Sequence, residues 1–413
     1  MEWNDMPQQV LFALEMLEKA GYEAALVGGC VRDRIMGRAP GDYDITTSAL
    51  PEETMRVFEK ERIVPTGIRH GTVMLVRGGL PMEITTFRED GEYTDMRRPD
   101  SVRFTRSLKE DVIRRDFTMN ALAWELGKGV IDHTGGARDI RAGLIRAVGE
   151  PERRFTEDAL RILRAVRFSA QLGFEIEEDT DRALRALHGN IGRIAAERVR
   201  IEMEKTVCGK FAAETLIRYG DILRARLLGG ERIADGKWEE GARRLREVGS
   251  LHCGGAAGEE KAGAALCWSA LLLPMGAQGA CDALGALRTD KATAQGVRDR
   301  ISLAQGPIDS LYDLRCAVGD HGMETARDAV LLRYAFDLPA RQNALGLLSR
   351  IQNEKMPCTA AELAVGGKDL MAEGLRGRQI GLAMAALLDE VRAGRVPNER
   401  EALLKRAEQL RNT

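Results

Sequence analysis

The stretch Leu26–Ile45, LVGGCVRDRIMGRAPGDYDI, decides how the front of this chain is read. It opens inside an apolar run, EAALVGG, that reads as a short strand stopping at two glycines. A helix start with Arg32 and Asp33 follows, and the stretch closes on two carboxylates, Asp42 and Asp44, two residues apart. On a strand, residues i and i+2 share a face, so this pair reaches one hard cation, or a close pair, through oxygen. Gly28 and Gly29 let backbone N–H groups approach phosphate with no Cβ in the way, and the helix after them adds its positive end. Arg32 offers a cationic fork to the same anion. A glycine pair alone marks a turn, and two spaced aspartates alone are usually a solvated turn. Together they form a phosphate cradle followed within about 15 residues by a carboxylate pair, the arrangement that holds a metal-bound triphosphate for in-line attack.

Upstream, Asp5 and Pro7 open an amphipathic helix with Val10, Leu11, Leu14 and Leu17 at helical spacing, stopped by Lys19 and Gly21. Downstream, YDITT is a second strand, Pro51 starts a helix, and TVMLVRGG and PMEITTFR are strands joined through Gly-Gly as a hairpin. The first ~130 residues therefore predict a mixed sheet with helices. Glu83, in MEITTFR, is a candidate third acid of the metal site; the plain alternative is an edge glutamate facing water. From about Gly149 strand signals fade, and FTEDALRILRAVRFSAQLGF has helical apolar spacing with arginines on another face. The Gly- and Ala-rich run from Gly249 to Ala265 reads as a linker, and the closing NEREALLKRAEQLRNT as an exposed helix of mixed charge. No internal repeat is visible.

A chain of 413 residues exceeds one ordinary core, and 44% apolar with 30% charged residues is a globular composition. With 61 basic and 63 acidic residues the formal charge is -2, so nucleic acid would be met by local arginine clusters and not by net charge. Seven cysteines (30, 208, 253, 267, 281, 316 and 358) show no CxxC pair, which argues against zinc and for a reducing cytoplasm. MEWNDMPQQV lacks the basic start of a secretory signal. Ala262–Cys281 is uncharged, but Pro274, Gln278 and its small residues predict a buried helix or helix pair, not a membrane span. The five histidines make no His-Asp pair, which disfavours an added HD phosphohydrolase module; Asp320-His321 reads as a surface turn.

Leu26–Ile45 resembles the head signature of the class II tRNA nucleotidyltransferases (CCA-adding enzymes) and bacterial poly(A) polymerases, within the DNA polymerase beta superfamily. IRRDFTMNALAW, Ile113–Trp124, is similar to that family's ribose-sensing segment, and PERRFTEDALRILRAVRF, Pro151–Phe168, to its hinge and nucleotide-selecting helix. ERVRIEMEKTV, Glu197–Val207, resembles the neck helix, and ELAVGGKDLMAEGLRGRQIGLAMAALLDEVRAGRVPNERE the tail of the short bacterial enzymes. The likeness is dense from residue 21 to about 207 and again from about 359 to 404. It implies an α+β protein: a mixed-sheet nucleotidyltransferase head (1–148), then an all-α neck (149–208), body (209–355) and tail (356–413). It also implies Mg2+ at Asp42 and Asp44, partners tRNA, CTP and ATP, and neither DNA nor a membrane. Arg115, Asp116 and Asn120 are then expected at phosphate and ribose, with a local salt bridge as the alternative for the first two. The segment Arg88–Phe104, REDGEYTDMRRPDSVRF, resembles the loop associated with the switch to adding A.

The selecting helix also has a chemical reading. Asp158 and Arg161, three apart on one predicted helix, stand side by side. An aspartate accepts a hydrogen bond and an arginine donates, so the pair admits adenine and cytosine, which present an amino donor beside a ring-nitrogen acceptor. Guanine and uracil present the reverse and leave buried groups unpaired. The bland reading of this segment is a helix start capped by Thr156. Arg164 and Arg167 continue the row toward the triphosphate or brace the Asp158 and Arg161 pair. The expected reaction is addition of C, C and A to the tRNA 3′ end. An A-adding or poly(A)-forming enzyme and a noncatalytic RNA-binding protein on the same scaffold are the alternatives. Oligomeric state is not written in the sequence.

Overall fold

The structure is a computed structural model describing residues 3–65, 67–90, 102–227, 234–250 and 263–411. Most of the segment between Arg88 and Phe104, and most of the Gly- and Ala-rich linker, lie outside the described residues. The chain forms two compact units, Met1–Phe211 with Asp221–Arg226, and Ala212–Gly220 with Leu227–Thr413.

In the first unit, α1 (Gln8–Lys19) leads into β1 (Ala24–Val27), α2 (Gly29–Ile35), β2 (Asp44–Thr47) and α3 (Pro51–Val57). β3 (Arg62–Val64), β4 (Thr72–Arg77) and β5 (Leu80–Thr86) follow, then the small ribbon β6 (Arg88–Asp90) with β7 (Val102–Phe104). α4 (Leu108–Ile113), β8 (Leu122–Glu125), β9 (Gly129–Asp132), α5 (Gly136–Ala142) and β10 (Leu144–Ile145) complete the sheet region. The seven-stranded order is β3-β4-β5-β2-β1-β8-β9, antiparallel except for β2 beside β5. This is the expected mixed sheet. The β4–β5 hairpin turns through Gly78 and Gly79, at φ +57° and +81°, because a two-residue turn matching strand twist needs positive φ at both positions. β1 is buried along its whole length, so AALV shows no alternation. Ala25, Val27, Ala121, Ala123 and Phe87 pack with Leu108 and Val112 of α4 in one apolar cluster. Asp5 does not cap α1; it pairs with Arg34, while Pro7 precedes the helix.

The stretch FTEDALRILRAVRFSAQLGF, read as one run of helical spacing, is broken near its start. α6 (Pro151–Glu157) stops at Asp158, whose backbone is extended (φ -144°, ψ 105°), and α7 (Leu160–Leu172) begins anew. An Asp side chain competes for nearby N–H groups. Here its carboxylate takes the Leu160 N–H at 3.0 Å, which breaks the ladder. Thr156 bonds the Glu152 carbonyl and caps nothing. β11 (Glu175–Ile176) pairs in parallel with β10, and α8 (Glu178–Leu187) and α9 (Ala196–Val207) follow.

The described residues of the second unit form no strands. Ala264–Ala286 is, by length and composition, apolar enough to cross a membrane. It is a helix pair interrupted at Leu273–Met275, where Pro274 and Gly276 (φ +73°) break the run, and Leu266–Leu272 are all buried. Residues 363–410 hold their own core around Leu370, Leu387 and Leu403. The closing helix Arg400–Arg411 is thus not simply exposed, since Leu403 and Ala407 are fully buried. Asp320-His321 ends the helix Leu311–His321 instead of making a surface turn, and Asp320 pairs with Arg392.

Candidate active site

β2 and β5 lie side by side in parallel, with Asp44 directly opposite Glu83. Because β5 sits between β4 and β2, Glu83 is on an inner strand and not on a sheet edge. Asp42 precedes β2 and is not part of it. Burial nevertheless alternates, with Tyr43 and Ile45 buried and Asp42 and Asp44 more open, so the two aspartates share a side. Burial pushes the Asp44 carboxyl up to about 6, with Asp42 and Glu83 adding repulsion and Arg115 partly opposing them. Among the described residues no three His, Cys, Asp or Glu side chains converge on one ion position. Two hard carboxylate ligands with a third acid alongside still suit a divalent cation that completes its shell with triphosphate and water oxygens. A cation there would relieve the crowding that raises Asp44.

Gly28 (φ +76°, ψ -130°) makes the turn between β1 and α2 in a conformation closed to other residues. A Cβ there would stand 3.1 Å from Arg115 Nη1. Its N–H does not face an anion, because it donates to the Leu122 carbonyl at 3.2 Å. The amides without intrahelical acceptors are those of Gly29, Cys30 and Val31 in the first turn of α2. Cys30 is buried beneath the acids, and burial pushes its thiol up to about 11, so it stays protonated.

Arg32 is held within the protein. Its Nε and Nη2 take Asp33 at 2.9 and 2.8 Å, and its Nη1 donates to Asn120 at 2.9 Å. Asn120 in turn donates to Asp116 at 3.4 Å, and Asp116 receives Arg164 Nε at 2.6 Å. Burial would raise Asp116, but the Arg164 guanidinium, aided by Arg161, holds it below the usual carboxylate range. Arg115 pairs with Asp111 at 3.4 Å, while its Nε is buried without a hydrogen-bond partner.

The side chains of the two selecting residues each meet a neighbouring charge. Asp158 receives Arg198 Nη2 at 2.9 Å, whereas Arg161 Nη1 bonds Glu157 at 2.6 Å and the Arg154 carbonyl at 3.1 Å. The helix break at Asp158 leaves one turn between them, in which the Arg161 N–H donates to the Asp158 carbonyl at 3.0 Å. Arg167 pairs with Glu202 at 2.5 Å and bonds Gln171 at 2.8 Å, so it does not brace Asp158 and Arg161.

A profile of the Poly A polymerase head domain matches residues 24–146. The probable RNA and SrmB-binding site of polymerase A matches residues 173–219, and the putative tRNA nucleotidyltransferase domain 2 matches residues 262–407. Over 415 aligned residues the chain is 37% identical to a CCA-adding enzyme of Levilactobacillus brevis, covering 98% of this chain and 99% of that one. The chain belongs to the CCA-adding enzyme family. A CCA-adding enzyme of Leuconostoc mesenteroides is 52% identical over 219 residues, 52% of this chain. That alignment spans 54% of the relative, so the chain matches only about half the length of such CCA-adding enzymes at this identity. The crystal structure of the Bacillus stearothermophilus CCA-adding enzyme in complex with CTP superposes with a TM-score of 0.82 at 34% identity, covering 98% and 97% of the two chains. As nucleotidyltransferases, CCA-adding enzymes imply a divalent metal.

Several residues at this site were not singled out in the sequence. Asp111 is fully buried and gathers Arg114 Nε and Nη2 (3.0 and 2.8 Å), Arg115, the Arg88 N–H and the Thr46 hydroxyl. Arg198 and Glu202 reach the site from α9, dozens of positions away in the chain. Glu157 and Asp111 were findable, from their i, i+4 spacing to Arg161 and Arg115.

Proposed function

We propose that this chain adds C, C and A to the 3′ end of tRNA from CTP and ATP, without a nucleic-acid template. The observation that carries the reading is the Asp44 and Glu83 register, with Asp42 on the same side, at the end of a glycine turn overhung by Arg115. Asp42 and Asp44 hold a divalent cation, which we assign as Mg2+, and Glu83 stands beside them as the third catalytic acid. When bound, that cation supplies charge for the triphosphate and lowers the pKa of the attacking hydroxyl.

The tRNA 3′-oxygen bonds to the alpha phosphorus, the bridge to the beta phosphate breaks, and pyrophosphate leaves. The turn at Gly28 and Gly29, with Arg32, Arg164 and Arg167, orients the phosphates; Arg115 reaches phosphate, and Asp116 with Asn120 the ribose 2′-hydroxyl. Asp158 and Arg161 read the base edge, exchanging Arg198 and Glu157 for adenine or cytosine on binding. Such positioning supplies most of the rate in phosphoryl transfer.

We divide the chain into head (1–148), neck (149–208), body (209–355) and tail (356–413). The separate core of residues 363–410 supports the last division, and the helical body and tail grip tRNA through phosphates and shape. The six described cysteines are all free, which supports a reducing cytoplasm.

The test is purified protein with tRNA lacking its terminus, given CTP and ATP separately and together. Addition of CC from CTP, completed by one A when ATP is present, is expected; long tails from ATP alone would overturn the reading.

A further inference from the structure

Phe168, on α7, is 5% exposed, and three guanidinium groups surround its ring. Arg167 Cζ lies 3.9 Å from the ring centroid, Arg32 Cζ 5.4 Å and Arg164 Cζ 5.5 Å. Phe117 meets the ring at 85° with centroids 5.9 Å apart, fixing its orientation. The three arginines arrive from two elements, Arg32 from α2 directly after the glycine turn and the others from α7. Three like charges so close repel one another. Each therefore carries an acid, Asp33, Asp116 and Glu202 in turn, and all three lie within cation–π reach of one aromatic ring.

A ring contact has a property that an ion pair lacks. It occupies the flat face of a guanidinium and leaves the in-plane N–H groups to hydrogen-bond acids, or an arriving anion. An aliphatic side chain of the same volume would fill the space with no attraction for cations. We propose that Phe168 is a positioning residue for the triphosphate, its ring gathering Arg32, Arg164 and Arg167 into one cationic cradle joined to the Gly28 and Gly29 turn. This rests on the reading of the site as a nucleoside triphosphate site.

Inorganic pyrophosphate is the probe, titrated into the full chain and its Phe168→Leu, Phe168→Met and Phe168→Tyr variants, alongside KM and kcat for CTP and a thermal melt. Leu and Met remove the ring and nearly conserve volume, so pyrophosphate affinity falls about tenfold and KM for CTP rises similarly, while kcat changes less than about threefold. Tyr keeps the ring face and stays within about threefold of the parent. If Phe168→Leu fails to fold, Phe168→Met is read in its place. Parent-like pyrophosphate binding in the ring-less variant, or an equal loss in Phe168→Tyr, would overturn the cradle. A parent protein that binds pyrophosphate but adds no nucleotide to tRNA would instead sink the proposed function, with the cradle still decided by the titration.

Discussion

Asp44 is a carboxylate held where ionisation is unfavourable, because burial, Asp42 and Glu83 together push it up to about 6. A group whose folded pKa is raised stabilises the fold most below its unfolded value near 4, and that contribution is lost as pH rises through about 6. Metal-free protein should therefore melt lower at pH 7.5 than at pH 5 by this term, and Mg2+ should restore stability only at the higher pH. Asp44→Asn should flatten both responses while abolishing nucleotide addition; calorimetric melts at the two pH values, with and without Mg2+, check it. An unchanged Mg2+ response in the variant would remove Asp44 from the metal site. At Asp158 the same carboxylate that breaks the helix and takes Arg198 is assigned to the base edge. Asp158→Ala should lose discrimination against UTP and GTP along with activity, read from misincorporation into tRNA; intact selectivity would refute the assignment.

Local signals placed β1, β2, β4 and β5, because glycine turns and short apolar runs act within a few residues. The same signals failed between α6 and α7. Helical spacing runs unbroken through EDALR, and only the competition of Asp158 for the Leu160 N–H stops the ladder. The strand β8, LAWE, is buried on both faces, so it offers no alternation to read. At the β1–α2 turn the glycine signal was legible and its reason was not, since Gly28 serves Arg115 and the backbone instead of offering its N–H to phosphate. Gly28→Ala should cost about 1–3 kcal/mol from the forced positive φ, measured by urea unfolding. It should also raise KM for CTP as the new methyl displaces Arg115; an unaltered KM would separate the turn from nucleotide binding.

In the second unit a latch joins the helix Leu311–His321 to the tail. Arg315, 6% exposed, donates to the carbonyls of Pro357, Val391 and Arg392 at 2.6 to 3.2 Å. Arg392 reaches back to the Cys358 carbonyl at 2.9 Å, across a helix face where Gly319 leaves no room for a Cβ. Arg315→Ala removes a donor from the part-buried Pro357 and Arg392 carbonyls at about 1–3 kcal/mol each, while that of Val391 keeps the Gly394 N–H at 3.0 Å. Hydrogen exchange should then quicken across residues 363–410 and not in the first unit. With a loosened tail, KM for tRNA should rise while KM for CTP holds; equal rises in both would deny the tail a separate grip.

By itself the sequence determined the mixed sheet, the helical remainder, the family and the identity of the acids and arginines, because these follow from local periodicity, side-chain chemistry and motif order. Only the tertiary structure decided who meets whom. It set Asp44 beside Glu83 across a parallel pair, gave Asp158 the Arg198 guanidinium and Arg161 the Glu157 carboxylate, buried Asp111 as the anchor of Arg115, and drew three arginines onto Phe168. The physical reason is that a charged side chain is settled by the nearest partner in space. Glu83, Arg198 and Arg32 come to their partners from strands and helices far away along the chain.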